Sequence, residues 1–222
     1  MRTTLSSLVI ITSLANVARA ADSQLWSEVD LLVSANSGLR FTFPLVMRNS
    51  FSLANPQLGG AGCIVDVSVM KDLTFTAGYL FVGLPNTGKG YVSNIPLAAI
   101  TIRHKLGRLE VSDRNRAEEL FGLPNSPIRY RNRVSVDLPL ASGRWTPFVT
   151  NEIFYDFSQS AWTQDRLQLG VGVRLNPHVK LNTFFLLRSD LTTKANDVDA
   201  LGLMLEWSLT SKKAKGAEHG EN

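Results

Sequence analysis

Beyond residue 20 the chain falls into segments of 9 to 13 residues in which apolar and polar side chains alternate, separated by clusters of Gly, Pro, Asn, Asp and Ser. Successive side chains of a strand point to opposite faces, so this period of two prescribes strands with one oily and one polar side. No long segment keeps apolar residues three and four apart, as a helix requires. The spacing predicts strands at 25–34, 39–48, 62–70, 73–82, 97–105, 108–118, 128–138, 145–156, 166–175, 179–188 and 199–209. The fold class is therefore all-β.

The connections alternate as well. Short turns at 35–38, 71–72, 106–107, 139–144 and 176–178 are interleaved with longer loops at 49–61, 83–96, 119–127, 157–165 and 189–198. Short turns on one side and longer loops on the other are the pattern of outer-membrane barrels. Strands of about 9–11 residues also suit a span of the hydrocarbon layer. Only a closed barrel lets strands cross it, because lipid offers no partner to an unpaired backbone group. The eleven segments conflict with the even number usual in single-chain bacterial barrels. Twelve strands are expected, with ten as the alternative, the extra strand lying near Pro44 and residues 48–55.

The N-terminus carries Arg2, an apolar stretch from Leu5 to Ala18 and an Ala18-Arg19-Ala20 site before Ala21. That layout predicts a secretory signal peptide over 1–20. Its loss would remove Arg2 and Arg19, leaving 21 basic against 19 acidic residues, a net of +2 instead of +4. So small an excess implies no nucleic-acid partner. The organisation expected is a signal peptide at 1–20, a barrel at 21–209 and a polar, disordered tail at 210–222. Cys63 is the only cysteine, so no disulfide framework exists.

The charges follow the alternation. Leu167, Leu169, Val171, Val173 and Leu175 share one face, and Arg166, Gln168 and Arg174 the other. Ile128, Tyr130, Val134 and Val136 likewise oppose Arg129, Arg131, Arg133 and Asp137. Fourteen of the 21 basic residues take the polar parity: Arg40, Arg48, Arg103, Lys105, Arg108, Arg114, Arg116, Arg129, Arg131, Arg133, Arg166, Arg174, Lys180 and Arg188. None takes the apolar one, as a lipid-facing surface demands, since Arg or Lys there costs roughly 2–4 kcal/mol at the midplane. His104 and Asp113 break the rule. Trp26, Trp145 and Trp207 lie near strand ends, where interfacial aromatic girdles sit, with Trp26 and Trp207 expected at the same interface.

The segments Arg114-Asn115-Arg116-Ala117-Glu118, Arg129-Tyr130-Arg131-Asn132-Arg133, Asn151-Glu152-Ile153-Phe154-Tyr155 and Arg166-Leu167-Gln168-Leu169-Gly170 follow in that order. In these motifs the chain, from about Trp26 to Leu209, resembles the outer-membrane barrel group catalogued as domain of unknown function 2490. The resemblance implies a barrel of this size and no established activity. Gly202-Leu203-Met204-Leu205-Glu206-Trp207 resembles the C-terminal insertion signal of outer-membrane proteins, although Thr210 to Asn222 follow it.

No catalytic or metal-binding constellation is present in the sequence. His104, His178 and His219 are scattered and lack ligand spacing, there is no Gly-x-Ser-x-Gly elbow, and Gly88-Lys89-Gly90 is too short for a phosphate loop. Nothing places a substrate between Asp165 and Glu152. No enzyme activity, metal or cofactor is therefore expected.

The polar face is the better lead. Against its fourteen cations stand nine acids: Glu28, Asp30, Asp66, Glu110, Glu118, Asp137, Glu152, Asp156 and Glu206. The expected lumen lining is Arg103, Arg108, Glu110, Arg114, Arg116, Glu118, Arg129, Arg131, Arg133, Asp137, Glu152, Arg166, Arg174, Arg188 and Glu206. Arg129, Arg131 and Arg133 are placed to form an ion-pair ladder with Glu110 and Glu118. Three functions fit: a structural barrel plugged by its own ion pairs, a narrow channel whose positive excess favours small anions, or a surface-loop adhesion or interaction protein, against which the loops are short and carry no repeat. The expected setting is the bacterial outer membrane, with its lipids and insertion machinery as partners. A soluble exported barrel or sandwich acting as a binding module is the alternative.

Overall fold

The computed structural model describes residues 22–51, 56–84, 91–123, 127–193 and 197–210. The signal peptide expected at 1–20 lies outside them, as does the tail beyond Thr210. The strands are β1 (Asp22–Ser34), β2 (Leu39–Ser50), β3 (Pro56–Met70), β4 (Leu73–Leu84), β5 (Tyr91–Leu106), β6 (Leu109–Glu119), β7 (Ile128–Asp137), β8 (Trp145–Asp156), β9 (Ala161–Asn176), β10 (Val179–Asp190) and β11 (Val198–Thr210). Sequence neighbours pair antiparallel, and β1 closes the barrel by pairing parallel with β11, Asp22 opposite Val198 and Ser34 opposite Thr210.

That closure corrects the expected count. The described residues hold eleven strands and no twelfth, because the first segment belongs to the wall and joins the last one in parallel. The even-number rule assumes an antiparallel closing pair, and here that assumption does not hold. The strands are also longer than expected, up to 16 residues in β5 and β9, so much of the sequence assigned to loops 49–61, 83–96 and 157–165 is wall.

One end of the barrel carries the short turns, including Lys71-Asp72, Gly107-Arg108 and Pro177-His178, together with the end of β11. Gly107 takes a φ of 63°, the left-handed conformation that a two-residue hairpin favours. The other end carries the β6–β7 and β10–β11 connections and the start of β1. Because β1 and β11 run parallel, Trp26 and Trp207 lie at opposite ends instead of sharing one interface. Trp26 moreover points inward, 8% exposed, so it forms no part of an outer girdle.

The outer face is largely apolar. Phe43, Leu45, Met47, Phe75, Phe81, Ile100, Ile102, Leu169, Leu201, Leu203 and Leu209 are all exposed on it. No Lys or Arg from a described strand joins them. At the end opposite the short turns, Tyr130, Tyr155 and Trp162 form an outward aromatic row with edge-to-face contacts at 5.2 and 6.4 Å.

His104 and Asp113 do lie on this face, since β5 and β6 pair without a register shift that could turn them inward. Asp113 is one of a group. Asn132 donates to Asp113 at 2.6 Å and to Asn115 at 3.1 Å, Tyr130 donates to Asn115, and Asn151 donates to Asp165 at 2.7 Å. These side chains form a polar island on the outer surface of β6 to β9. Each amide and carboxylate finds a partner within the island, which lowers the cost of holding it among apolar neighbours.

The interior is not filled by its side chains. Barrels of about eight strands pack their cores solid, whereas wider ones leave a ligand-sized space or a channel. Where side chains do meet inside, small residues make room. A Cβ at Gly202 would lie 2.1 Å from the ring of Phe184, which packs with the buried Trp26, Leu186, Val198 and Ala200.

Candidate functional site

The inward faces of β6, β7, β8 and β9 bring together a network of arginines around two carboxylates. Cross-strand register sets it up: Glu118 lies opposite Arg129, Arg116 opposite Arg131, Arg133 opposite both Arg114 and Glu152, and Glu152 opposite Arg166. Directly opposed side chains sit close enough to interact, so the alternation of each strand becomes a lattice of ion pairs.

Glu118, 2% exposed, accepts from Arg129 Nε at 2.6 Å and from Arg131 Nη1 at 3.2 Å, and it forms an ion pair with Arg116 Nη2 at 2.5 Å. Glu152, 1% exposed, accepts from Arg131 Nη2 at 2.9 Å on both oxygens. Arg133 Nε at 3.2 Å, Arg114 Nη2 at 3.3 Å and Arg166 Nη1 at 3.9 Å surround the same carboxylate. Phe154, fully buried beside Glu152, has the guanidinium carbons of Arg166, Arg131 and Arg129 at 4.2, 4.6 and 5.3 Å from its ring centroid. An aromatic face attracts such cations.

The carboxylates are outnumbered. Six guanidiniums, from Arg114, Arg116, Arg129, Arg131, Arg133 and Arg166, share Glu118 and Glu152. A seventh, Arg48 of β2, reaches the cluster from across the barrel and lies over Trp26, with its guanidinium carbon 3.8 Å from the ring centroid. Arg166 approaches the same ring at 5.4 Å. Trp26 Nε1 donates to Gln24 Oε1 at 2.8 Å, which fixes the ring. No carboxylate of the described residues pairs with Arg48.

The rest of the expected lining is dispersed. Glu110 takes no part in the ladder. It pairs with Lys105 at 2.8 Å on exposed side chains and faces Asp137 in register, four residues along β7 from Arg133. Arg103 donates to Thr74 Oγ1 at 3.0 Å. Glu206 accepts from Asn182 at 2.5 Å and pairs with Lys180 at 3.5 Å. Arg188 lines the lumen, and Arg174 takes the inward parity of β9 near the short-turn end, where it is exposed. Arg108 is not in a strand: it occupies the exposed turn between β5 and β6, because β6 begins one residue later than expected.

Beside the arginines lies a cavity of about 800 Å³. The adjoining wall, on β4 and β5, is mainly apolar where it meets the cavity. Leu80, Val82, Ile95 and Leu97 of β4 and β5 point inward, and Val82 and Ile95 pack with Leu120 near the end away from the short turns. Sequence reading did not separate these strands from the charged ones. Their inward parity shows in the alternation, but it carries Leu and Ile where β6 to β9 carry Arg and Glu. Trp26 and Phe154 were missed as parts of the site, although each shares the polar parity of its strand. Among the described residues no group of three or more His, Cys, Asp and Glu side chains is arranged to hold a metal ion.

Fold and interior together define a closed β-barrel with an arginine-rich network on its inner face. The chain belongs to the family described as "Protein of unknown function (DUF2490)", whose model matches residues 23–199. Among curated proteins no match to the chain is found. Solved structures similar to it include the outer-membrane expressed OmpT of Vibrio cholerae, at 13% identity and a TM-score of 0.38, covering 68% of this chain and 54% of that one. The anion-selective porin from Comamonas acidovorans matches at 12% identity and a TM-score of 0.40, covering 76% of this chain and 53% of the porin. In vitro folded OmpT in its trimer form matches at 14% identity and a TM-score of 0.38, covering 74% and 59%. The chain thus spans little more than half the length of these structures.

Proposed function

We propose that this protein is a bacterial outer-membrane β-barrel whose lumen favours small anions. The observation that carries the reading is the guanidinium excess: ten arginines against five carboxylates line a cavity of about 800 Å³, inside a wall whose outer face carries no Lys or Arg from the described strands. Rings of Arg select for anions when they line a passage. An outer face free of cations suits lipid, and buried charge is tolerated in the interior through its pairing. The partners of this reading are outer-membrane lipids, the machinery that inserts barrels into that membrane, and small anionic solutes.

A second reading rests on the density of the network around Glu152, where one carboxylate is ringed by four arginines. Such a network can act as a plug that stiffens a barrel with no transport role.

Cell fractionation and vesicle efflux test the two together. The channel reading expects the protein in the outer-membrane fraction and a faster loss of chloride than of potassium from vesicles containing it. A membrane-embedded barrel that leaks neither ion supports the plug, and recovery in a soluble fraction contradicts both.

A further inference from the structure

The cavity is two-sided, and a simple anion passage has no need of that. On one side Arg48 and Arg166 converge on the ring of Trp26. Arg166 is 7% exposed and its Nε meets no protein acceptor, while its nearest carboxylate contact is a distant 3.9 Å from Glu152. Arg48 makes no ion pair among the described residues, Glu28 acting on it only from farther off. A buried guanidinium with donors unspent is costly unless something accepts from it. On the other side, Leu80, Ile95 and Leu97 present an apolar wall. Ligand sites commonly join a mainly apolar lining to a few placed polar groups, in cavities of about 300–1,000 Å³.

We propose that this cavity binds a small organic acid with an apolar body, its carboxylate taken by Arg48 and Arg166 beside Trp26 and its hydrocarbon part laid against Leu80, Ile95 and Leu97. The inference rests on the reading of an accessible cationic lumen and names the class of anion that the lumen prefers. A planar carboxylate matches the fork of a guanidinium, which chloride does not. The apolar wall gives nothing to inorganic anions and gains from each methylene that leaves water. Trp26 would report occupancy, being the inward indole, whereas Trp145, Trp162 and Trp207 are 44 to 51% exposed on the outer side.

The test is a titration of the refolded full chain in vesicles with hexanoate, acetate and hexylamine, followed by calorimetry and by tryptophan emission. Hexanoate is expected to bind at least about tenfold more tightly than acetate, which lacks the tail, and than hexylamine, which lacks the carboxylate. Arg48→Gln should weaken hexanoate about tenfold or more, Leu97→Asn should erase its advantage over acetate, and the emission change should vanish in Trp26→Phe. Equal binding of acetate and hexanoate, or equal binding of hexanoate and hexylamine, overturns the proposal on the unsubstituted protein alone, whatever the variants do. Binding is read without ion flow. Hexanoate selectivity in a barrel that passes no chloride therefore sinks the channel reading and keeps this one, and chloride flow without hexanoate selectivity does the reverse.

Discussion

Glu152 holds Arg131 by both of its oxygens at 2.9 Å while Arg133 on one neighbouring strand and Arg166 on the other lie directly across from it in register. With Arg114 of β6 at 3.3 Å as well, one buried carboxylate joins four strands of the barrel, β6 to β9. With Glu118 it takes all the ion pairs of Arg114, Arg116, Arg129, Arg131, Arg133 and Arg166 among the described residues.

Removing that carboxylate should be severe. Glu152→Gln leaves four guanidiniums with a neutral partner, and breaking a buried ion pair costs about 3–5 kcal/mol. Unfolding in denaturant should show a loss of that order, whereas Glu110→Gln, on the exposed pair with Lys105, should leave the midpoint unchanged. Similar midpoints for the two variants contradict the network as drawn.

The packing inside the other wall has its own probe. Gly202→Ala places a methyl 2.1 Å from the ring of Phe184, an overpacking expected to destabilise by about 1–3 kcal/mol. Adding Phe184→Leu should restore most of that loss. A double variant no more stable than Gly202→Ala shows that the clash lies elsewhere.

The outer face separates a membrane barrel from a soluble one. Leu203 is exposed on β11, and Leu203→Arg there should cost roughly 2–4 kcal/mol in lipid vesicles if it lies near the midplane. In a soluble barrel the same exposed arginine should be nearly neutral. Refolding yield and unfolding free energy in vesicles decide between these.

Much of this was legible in the residues and some of it was not. The alternation in 166–175 and 199–209 correctly assigned inward and outward faces, because β10 and β11 pair without a shift and the irregularities of β9 fall toward its two ends. The eleven segments were all real strands. The even-number rule misleads for this chain because the parallel pairing of Asp22 with Val198 joins residues from the two ends of the barrel and leaves no local trace in the sequence. Glu110 was assigned to the ladder from its strand and parity alone. Its partner is set by the register, which puts it opposite Lys105 on β5 and opposite Asp137 on β7. Asn115, Asn132 and Asn151 do not stand out in the sequence because an amide interrupts an apolar stripe only weakly, yet they bond outward-facing acids in two groups, Asn115 and Asn132 with Asp113, and Asn151 with Asp165.

Parallel closure has a topological consequence. The start of β1 and the end of β11 emerge from opposite ends of the barrel, so cysteines placed at Ser23 and Ser208 in a Cys63→Ser background should label from opposite faces of the membrane. Gln159, in the turn between β8 and β9, should label with Ser23, and Ser142, between β7 and β8, with Ser208. An impermeant maleimide applied to intact cells reads this directly. Ser23 and Ser208 reacting from the same face requires a barrel with an even number of strands.

The most direct measurement is the reversal potential of the refolded protein in a planar bilayer separating concentrated from dilute potassium chloride. A lumen governed by Arg48, Arg131 and Arg166 should pass chloride more readily than potassium, so the potential should move toward the chloride equilibrium value and return toward zero in Arg48→Gln. A potential on the potassium side, or an inserted barrel that passes no current, contradicts the anion-favouring lumen.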